Sequence, residues 1–185
     1  IRDSFAYAHY MEPHSPYWAP DEYARRFLPE DYPLPPLPDR GRVTPYQDQV
    51  LVEGKPLELS REKKDEIIAL YDACIRQADD AIREVFQVLE ELGLRDQSII
   101  WILADHGEEL FDHGLVKHGY TLYDEVLRVP MILLYPGCPK GARIAGQVDL
   151  TDVFPTTLEL LGADPARFPL DGRSLVPLIE GRGQG

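Results

Sequence analysis

Residues 99–136 read IIWILADHGEELFDHGLVKHGYTLYDEVLRVPMILLYP and hold most of the side chains able to do chemistry. An apolar run, Ile99-Ile100-Trp101-Ile102-Leu103-Ala104, ends abruptly in Asp105-His106-Gly107. A carboxylate and an imidazole therefore stand where a buried strand is expected to break into a loop. His113, Lys117 and His118 follow within a dozen residues. Asp105 offers a hard oxygen donor suited to Ca²⁺, Mg²⁺ or Mn²⁺. The His106 imidazole shifts the preference toward Mn²⁺ or Zn²⁺. Neighbouring side chains on an extended strand point to opposite faces, but a turn beginning at Gly107 can aim both at one ion. Two ligands are an incomplete set, and these segments offer no obvious Asp pair at another strand end. Lys117 and His118 can bind an anion, one as a point charge and the other as a donor. A cation beside an anion site is the chemistry this stretch suggests.

A second set of candidates comes from the start of the chain. Residues 4–10 (SFAYAHY) are aromatic-rich and read as a short buried strand, with His9 as a hydrogen-bonded, core-facing residue. Residues 11–20 (MEPHSPYWAP) contain three prolines and cannot continue a strand, so His14 sits in a stiff strand-to-loop exit. In open α/β sheets, sites gather at the carboxyl ends of strands. Parallel neighbours would bring His14 and Asp105-His106 to one sheet edge.

The elements that must do this positioning follow from periodicity. Residues 59–92 form a long helix whose apolar residues, from Ile67 through Leu70, Cys74 and Ala78 to Val85 and Leu92, recur at gaps of three and four. That stripe is expected to be core along its length. Ser60 is the expected N-cap and Gly93 the C-terminal stop. Residues 97–104 and 129–135 (VPMILLY) are strands with consecutive apolar residues, as when helices cover both faces. Residues 149–162 (DLTDVFPTTLELLG) are a helix with Thr151 or Asp152 near its cap and Pro155 in its first turn. Residues 171–181 are a turn and a short amphipathic piece within a 171–185 tail. Residues 28–58 include PEDYPLPPLPDRGRVTP and read as an irregular, Pro-rich surface excursion. Strand, helix, strand, loop, strand, helix is an α/β pattern with a mostly parallel sheet flanked by helices.

Size and charge narrow the function. The 185 residues suffice for one domain with a sizeable core, at 44% hydrophobic and 28% charged. A formal net charge of −13 argues against nucleic acid, although a site can be locally positive within an acidic protein. No apolar run approaches the roughly 20 residues of a membrane helix. Cys74 and Cys138 are expected to be unpaired thiols, and the compartment is left open. The chain starts at Ile1 in what reads as an interior strand, so the expectation is a portion of something longer.

The block ADHGEELFDHG…KHGYTLYDEVLRVPMILLYPG resembles the corresponding block of the sulfatase family, in the alkaline-phosphatase-like superfamily. FAYAHYMEPHSPY, the long helix with its Gly turn, VDLTDVFPTTLELLG and DGRSLVPLIEG resemble further pieces in the same order, from Phe5 to Gly181. The resemblance implies the second half of a catalytic domain that hydrolyses sulfuric esters beside a divalent cation, commonly Ca²⁺, with Mn²⁺, Mg²⁺ or Zn²⁺ as alternatives. It implies a formylglycine nucleophile made from a Cys or Ser in C/S-x-P-x-R. It places Asp105 and His106 at the metal, His14 on the sulfate, and Lys117 or His118 near the leaving-group oxygen. No C/S-x-P-x-R occurs in this chain, and the family's first two metal aspartates are absent from it. The nucleophile, and the missing N-terminal half of the domain as a partner, are therefore expected outside it. The expected substrate is a small-molecule or glycan sulfate ester. Two alternatives stay open: a phosphate or phosphonate ester hydrolase or transferase of the same superfamily, and a non-catalytic binding module that keeps the fold.

Overall fold

The computed structural model describes residues 4–43, 46 and 58–182, which fall into two compact units. One unit combines Ile1–Leu92 with His106–Arg128, and the other combines Gly93–Asp105 with Val129–Gly185.

The first unit is organised by α2 (Arg61–Glu91), after a short α1 (Asp21–Ala24). The Ser60 hydroxyl accepts the Lys63 amide at 3.2 Å and caps α2, and Gly93 turns the chain with φ +65° just beyond it, both as the sequence suggests. At ~1.5 Å per residue α2 runs about 46 Å. Its apolar stripe is core only along the first half. Ile67, Leu70, Ala73 and Cys74 are buried, whereas Ile75, Val85, Val88 and Leu92 are exposed, with Val88 at 52%. Helical periodicity follows from the apolar spacing alone, but burial also needs a partner of matching length.

Tyr17, Ala19, Ala24, Leu28, Val43 and Val116 complete that core. The described parts of the 28–58 excursion are pinned down rather than loose. Arg40 is buried and donates to the carbonyls of Ala19 (2.8 Å) and Pro35 (3.1 Å), with Asp21 at 2.8 Å. Gly41 follows with φ +62°, where a Cβ would lie 2.6 Å from the Tyr17 carbonyl oxygen. Tyr32 donates to Glu66 at 2.7 Å, and burial together with that carboxylate pushes its phenol up to about 12. The part of the excursion between Val43 and Glu58, Tyr46 excepted, lies outside the described residues, as does the end of the tail beyond Arg182. A two-stranded antiparallel hairpin, β2 (Glu109–Leu110) with β3 (Val116–Lys117), and the short α3 (Asp124–Leu127) close the unit.

The expected strand at residues 4–10 is not formed. The segment carries no strand pairing, Phe5 is 90% exposed and Tyr7 76%. His9 is exposed with it, its Nδ1 hydrogen-bonded to the Tyr7 hydroxyl at 2.8 Å rather than facing a core. A strand, unlike a helix, takes its hydrogen bonds from another segment, so aromatic composition alone cannot supply it.

In the second unit β1 (Ile100–Leu103) pairs with β4 (Met131–Leu134), Ile100 opposite Leu134 and Leu103 opposite Met131. Both strands fall where the apolar runs place them. Their pairing is antiparallel, however, as is the β2–β3 pairing, so no parallel ladder is present among the described residues. Leu103 and Ile132 are exposed, so helices do not cover both faces. An apolar run encodes an extended segment without encoding the direction of its neighbour. A 3₁₀ turn (Leu150–Asp152) leads into α4 (Val153–Leu160). Asp149 caps the 3₁₀ turn in a reciprocal box with Asp152, and Asp152, one of the two residues expected near the cap, is the N-cap residue of α4. Pro155 lies in the first turn as anticipated. Trp101 Nε1 donates to Thr157 Oγ1 at 3.0 Å and ties β1 to α4. Asp152 and Thr156, both buried, accept the amides of Arg173 (2.9 Å) and Leu175 (2.9 Å) and dock the turn before α5 (Val176–Ile179).

On α2, Asp80 receives Arg76 at 2.5 Å and is also hydrogen-bonded by Arg83. Desolvation works against its charge, yet the two guanidiniums prevail and its carboxyl lies below its usual value. A lowered folded value means the stabilisation is complete above the unfolded carboxylate range, ~3.9, and drains away as pH falls through the folded value. Asp80→Asn is expected to lower Tm at pH 7, with the gap from wild type narrowing in a thermal-melt series as pH falls below the unfolded carboxylate range and through the lowered folded value. Gly41→Ala forces a left-handed alanine against Tyr17 backbone. It should destabilise the first unit by at least ~1–2 kcal/mol in urea titrations followed by tyrosine fluorescence.

Candidate functional site

In the first unit the chain from His106 to His118 folds back so that three imidazoles meet. The His106 and His118 ring centroids are 3.7 Å apart, and the His14 ring lies 5.2 Å from His118 and 6.4 Å from His106. Sequence reasoning expected His14 and His106 to be brought together by parallel strand ends. They do converge, but by loops: the 11–20 turn carries His14, and the β2–β3 hairpin returns His118 beside His106.

Local chemistry explains each placement. Gly107 donates to the Val126 carbonyl at 2.7 Å, and a Cβ there would lie 2.0 Å from the Glu125 carbonyl oxygen. Only glycine allows this approach, which sets where His106 leaves the backbone. Glu109 is wholly buried, and its carboxylate accepts the Leu115 amide (3.2 Å) and the Thr121 hydroxyl (3.1 Å). One carboxylate thus ties the hairpin to the turn after His118. Phe111 (φ +73°) and Lys117 (φ +81°) hold left-handed conformations in the same hairpin, which costs about 1–2 kcal/mol per residue for a non-glycine. Strain of this kind persists only where surrounding contacts over-determine it.

The tautomers of the three rings follow from their partners. His14 Nδ1 contacts the Ser15 carbonyl at 2.6 Å and His106 Nδ1 the Gly107 carbonyl at 2.9 Å. His118 Nδ1 contacts Glu108 Oε1 at 2.8 Å. Carbonyl and carboxylate oxygens accept but do not donate, so each Nδ1 carries the proton. In each neutral ring the lone pair is then on Nε2, and in the charged ring Nε2 is a second donor. The cluster can therefore ligate a cation or bind an oxyanion. An open cleft of ≈ 360 Å³ adjoins it, lined by His106, His118, Tyr120, Thr121 and Leu122.

The remaining predicted residues are placed as follows. Asp105 is exposed on the bend after β1. Lys117 is half-buried in β3, opposite Glu109 in the ladder. His113 stacks on Tyr123 at 3.7 Å, with Nε2 3.4 Å from Glu125 Oε2. Cys74 is buried and Cys138 half-buried, both unpaired, and burial pushes the Cys74 thiol up to about 12. Among the described residues no group of three or more His, Cys, Asp or Glu is arranged to hold a metal ion. The donor chemistry at Asp105 and His106, a carboxylate and an imidazole with its lone pair on Nε2, fits two ligands of a divalent cation. Sequence reasoning missed Glu108 and Glu109. The sequence shows only a doubled acid after Asp-His-Gly, which does not reveal that either side chain is buried.

With the geometry in hand, comparison with known proteins decides the family. A profile of the sulfatase family matches residues 2–163. The chain belongs to the sulfatase family. It is similar to the multifunctional alkaline phosphatase superfamily protein PehA of Trinickia caryophylli, 32% identical over 96% of this chain and 38% of that protein. It is similar to human arylsulfatase K, 31% identical over 60% of this chain and 20% of that protein. Its fold matches the phosphonate monoester hydrolase SpPMH from Silicibacter pomeroyi, with TM-score 0.73 and 30% identity over 94% of this chain and 36% of that one. The chain thus spans little more than a third of the length of these relatives, and less of the arylsulfatase. The expected alkaline-phosphatase-like fold holds at this level, without the mostly parallel sheet among the described ladders.

Glu109→Gln keeps shape but replaces one acceptor by a donor. It should cost about 1–3 kcal/mol and speed hydrogen exchange at the Leu115 amide. Unchanged exchange would show that the buried carboxylate does not hold the hairpin.

Proposed function

We propose that this chain supplies the anion-binding and proton-donating part of a sulfuric ester hydrolase whose nucleophile is a formylglycine outside the chain. The convergence of His14, His106 and His118 in one spot supports this reading. In it, Asp105 and His106 hold a divalent cation, Ca²⁺ in the first instance. When bound, that ion supplies positive charge that stabilises the ester anion and its transition state. His14, in its doubly protonated form, donates from Nε2 to a non-bridging oxygen of the ester. His118, doubly protonated, delivers its Nε2 proton to the leaving-group oxygen, so that an alcohol rather than an alkoxide departs and the ring is left as the neutral Nδ1–H form. Lys117 is the alternative for that last role, one residue away in sequence. His118 is preferred because its ring joins the cluster, whereas Lys117 sits within the hairpin ladder. The substrate is a sulfate ester of a small molecule or glycan.

A second reading has its own observation. PehA and SpPMH match 94–96% of this chain, whereas arylsulfatase K matches 60%. Phosphonate monoester hydrolysis therefore competes with sulfate ester hydrolysis. Both esters present oxygens to the same three imidazoles, so this part of the site serves either.

The 185-residue chain alone should show no turnover of 4-nitrophenyl sulfate or of a 4-nitrophenyl phosphonate monoester, and only weak Ca²⁺ or Mn²⁺ binding by calorimetry. Turnover by the pure chain would remove the need for an outside nucleophile. In the polypeptide extended upstream of Ile1, the ester with the higher kcat/KM decides between the two readings. There His118→Ala should lower kcat by roughly 10²–10⁴-fold, with a smaller loss for an activated aryl leaving group than for an alkyl one. Equal losses for both leaving groups would move the proton-donor role away from His118. A metal-free, inactive extended protein would favour the binding-module alternative.

A further inference from the structure

Two adjacent glutamates follow Gly107, and the structure gives them different work. Glu109 is buried in the hairpin and bonds Leu115 and Thr121, which accounts for the local fold. Glu108 joins neither of those bonds. Its side chain is 4% exposed, and Oε1 receives His118 Nδ1 at 2.8 Å. Burying a carboxylate costs several kcal/mol unless a partner compensates the charge. A glutamine would fill the same space without that cost, so packing alone does not account for the acid. Tyr17 shares this corner: it is wholly buried, edge-on to Tyr71 at 5.3 Å, and its hydroxyl makes no well-formed hydrogen bond. Burial first, and then the Glu108 charge, pushes the Tyr17 phenol far up, so it remains an un-ionised neighbour.

We propose that Glu108 is a positioning residue that fixes the orientation and tautomer of His118, turning its Nε2 toward the cleft. The carboxylate can only accept from Nδ1, so the ring cannot flip without losing a charge-assisted bond in a nearly dry setting. Nε2, on the opposite ring edge, is then the atom presented to a ligand. His106, its ring centroid 3.7 Å away and inclined at 30°, limits movement of the same ring. The catalytic consequence rests on the hydrolase reading, whereas the tautomer does not.

The test is a ¹⁵N–¹H correlation spectrum of the histidine rings in the 185-residue chain, recorded where the rings are neutral. Wild-type His118 should be the Nδ1–H form. Glu108→Ala should release it to a mixture containing the Nε2–H form, Glu108→Gln should weaken the preference, and Glu108→Asp should partly restore it. A wild-type His118 in the Nε2–H form, or one indifferent to Glu108→Ala in a folded variant, overturns the proposal. If Glu108→Ala does not fold, the wild-type tautomer together with Glu108→Gln decides. In the extended, active polypeptide Glu108→Gln should lower kcat about 10- to 100-fold with little change in KM. A tautomer under Glu108 control in a protein without ester hydrolysis would sink the hydrolase reading and leave the positioning intact. Full activity with a released tautomer would leave the tautomer control and the hydrolase reading intact and remove the catalytic consequence of the positioning.

Discussion

The first unit depends on keeping the Tyr17 ring out of water. Three segments far apart in the chain converge on that one side chain. The arm after α1 reaches it through Gly41, whose missing Cβ lets backbone touch backbone. The long helix reaches it through Tyr71, edge-on. The hairpin reaches it through Glu108, close enough for its charge to act on the phenol. Full burial of a tyrosine stabilises a loop-rich region because aromatic rings bring large apolar area for few rotatable bonds. Here it also fixes where the hairpin sits relative to the 11–20 turn, and so how His14 approaches His118.

Around that anchor, polar groups rather than apolar ones set the site. Glu109 holds the hairpin, Glu108 meets His118, and three Nδ1–H groups are each engaged by an oxygen that can only accept. In each ring Nε2 is then a lone-pair atom when the ring is neutral and a second donor when it is charged. A chain with a net charge of −13 can thus still present donors to an anion, because local geometry outweighs a screened global field beyond about 10 Å. The second unit follows the same economy. Asp152 and Thr156 use side-chain oxygens to capture the backbone of the following turn, where hydrophobic contact alone would leave amides unsatisfied.

Asp-His-Gly after an apolar run, a histidine between prolines and a Lys-His pair mark His14, Asp105, His106, Lys117 and His118 as candidates from residue types alone, and of these the structure gathers the rings of His14, His106 and His118. The ordered blocks also carried the family, which the profile match bears out. Glu108 and Glu109 were not legible, because an acid beside a loop looks like a solvated charge until its burial is known. The absent strand at 4–10 and the half-exposed stripe of α2 share a cause: each needs a partner that no local pattern specifies.

The sequence by itself determined what local forces determine. It set the extent and caps of the long helix, the two apolar strands, the proline-stiffened turn at His14 and the stop at Gly107. Each follows from backbone stereochemistry and from spacing within a few residues. Only the tertiary structure decided that β1 and β4 run antiparallel, that His118 rather than Lys117 enters the imidazole cluster, and that two neighbouring glutamates are buried for different purposes. Those outcomes depend on contacts between residues far apart in the chain, and the free energy of such contacts is not encoded in either segment alone.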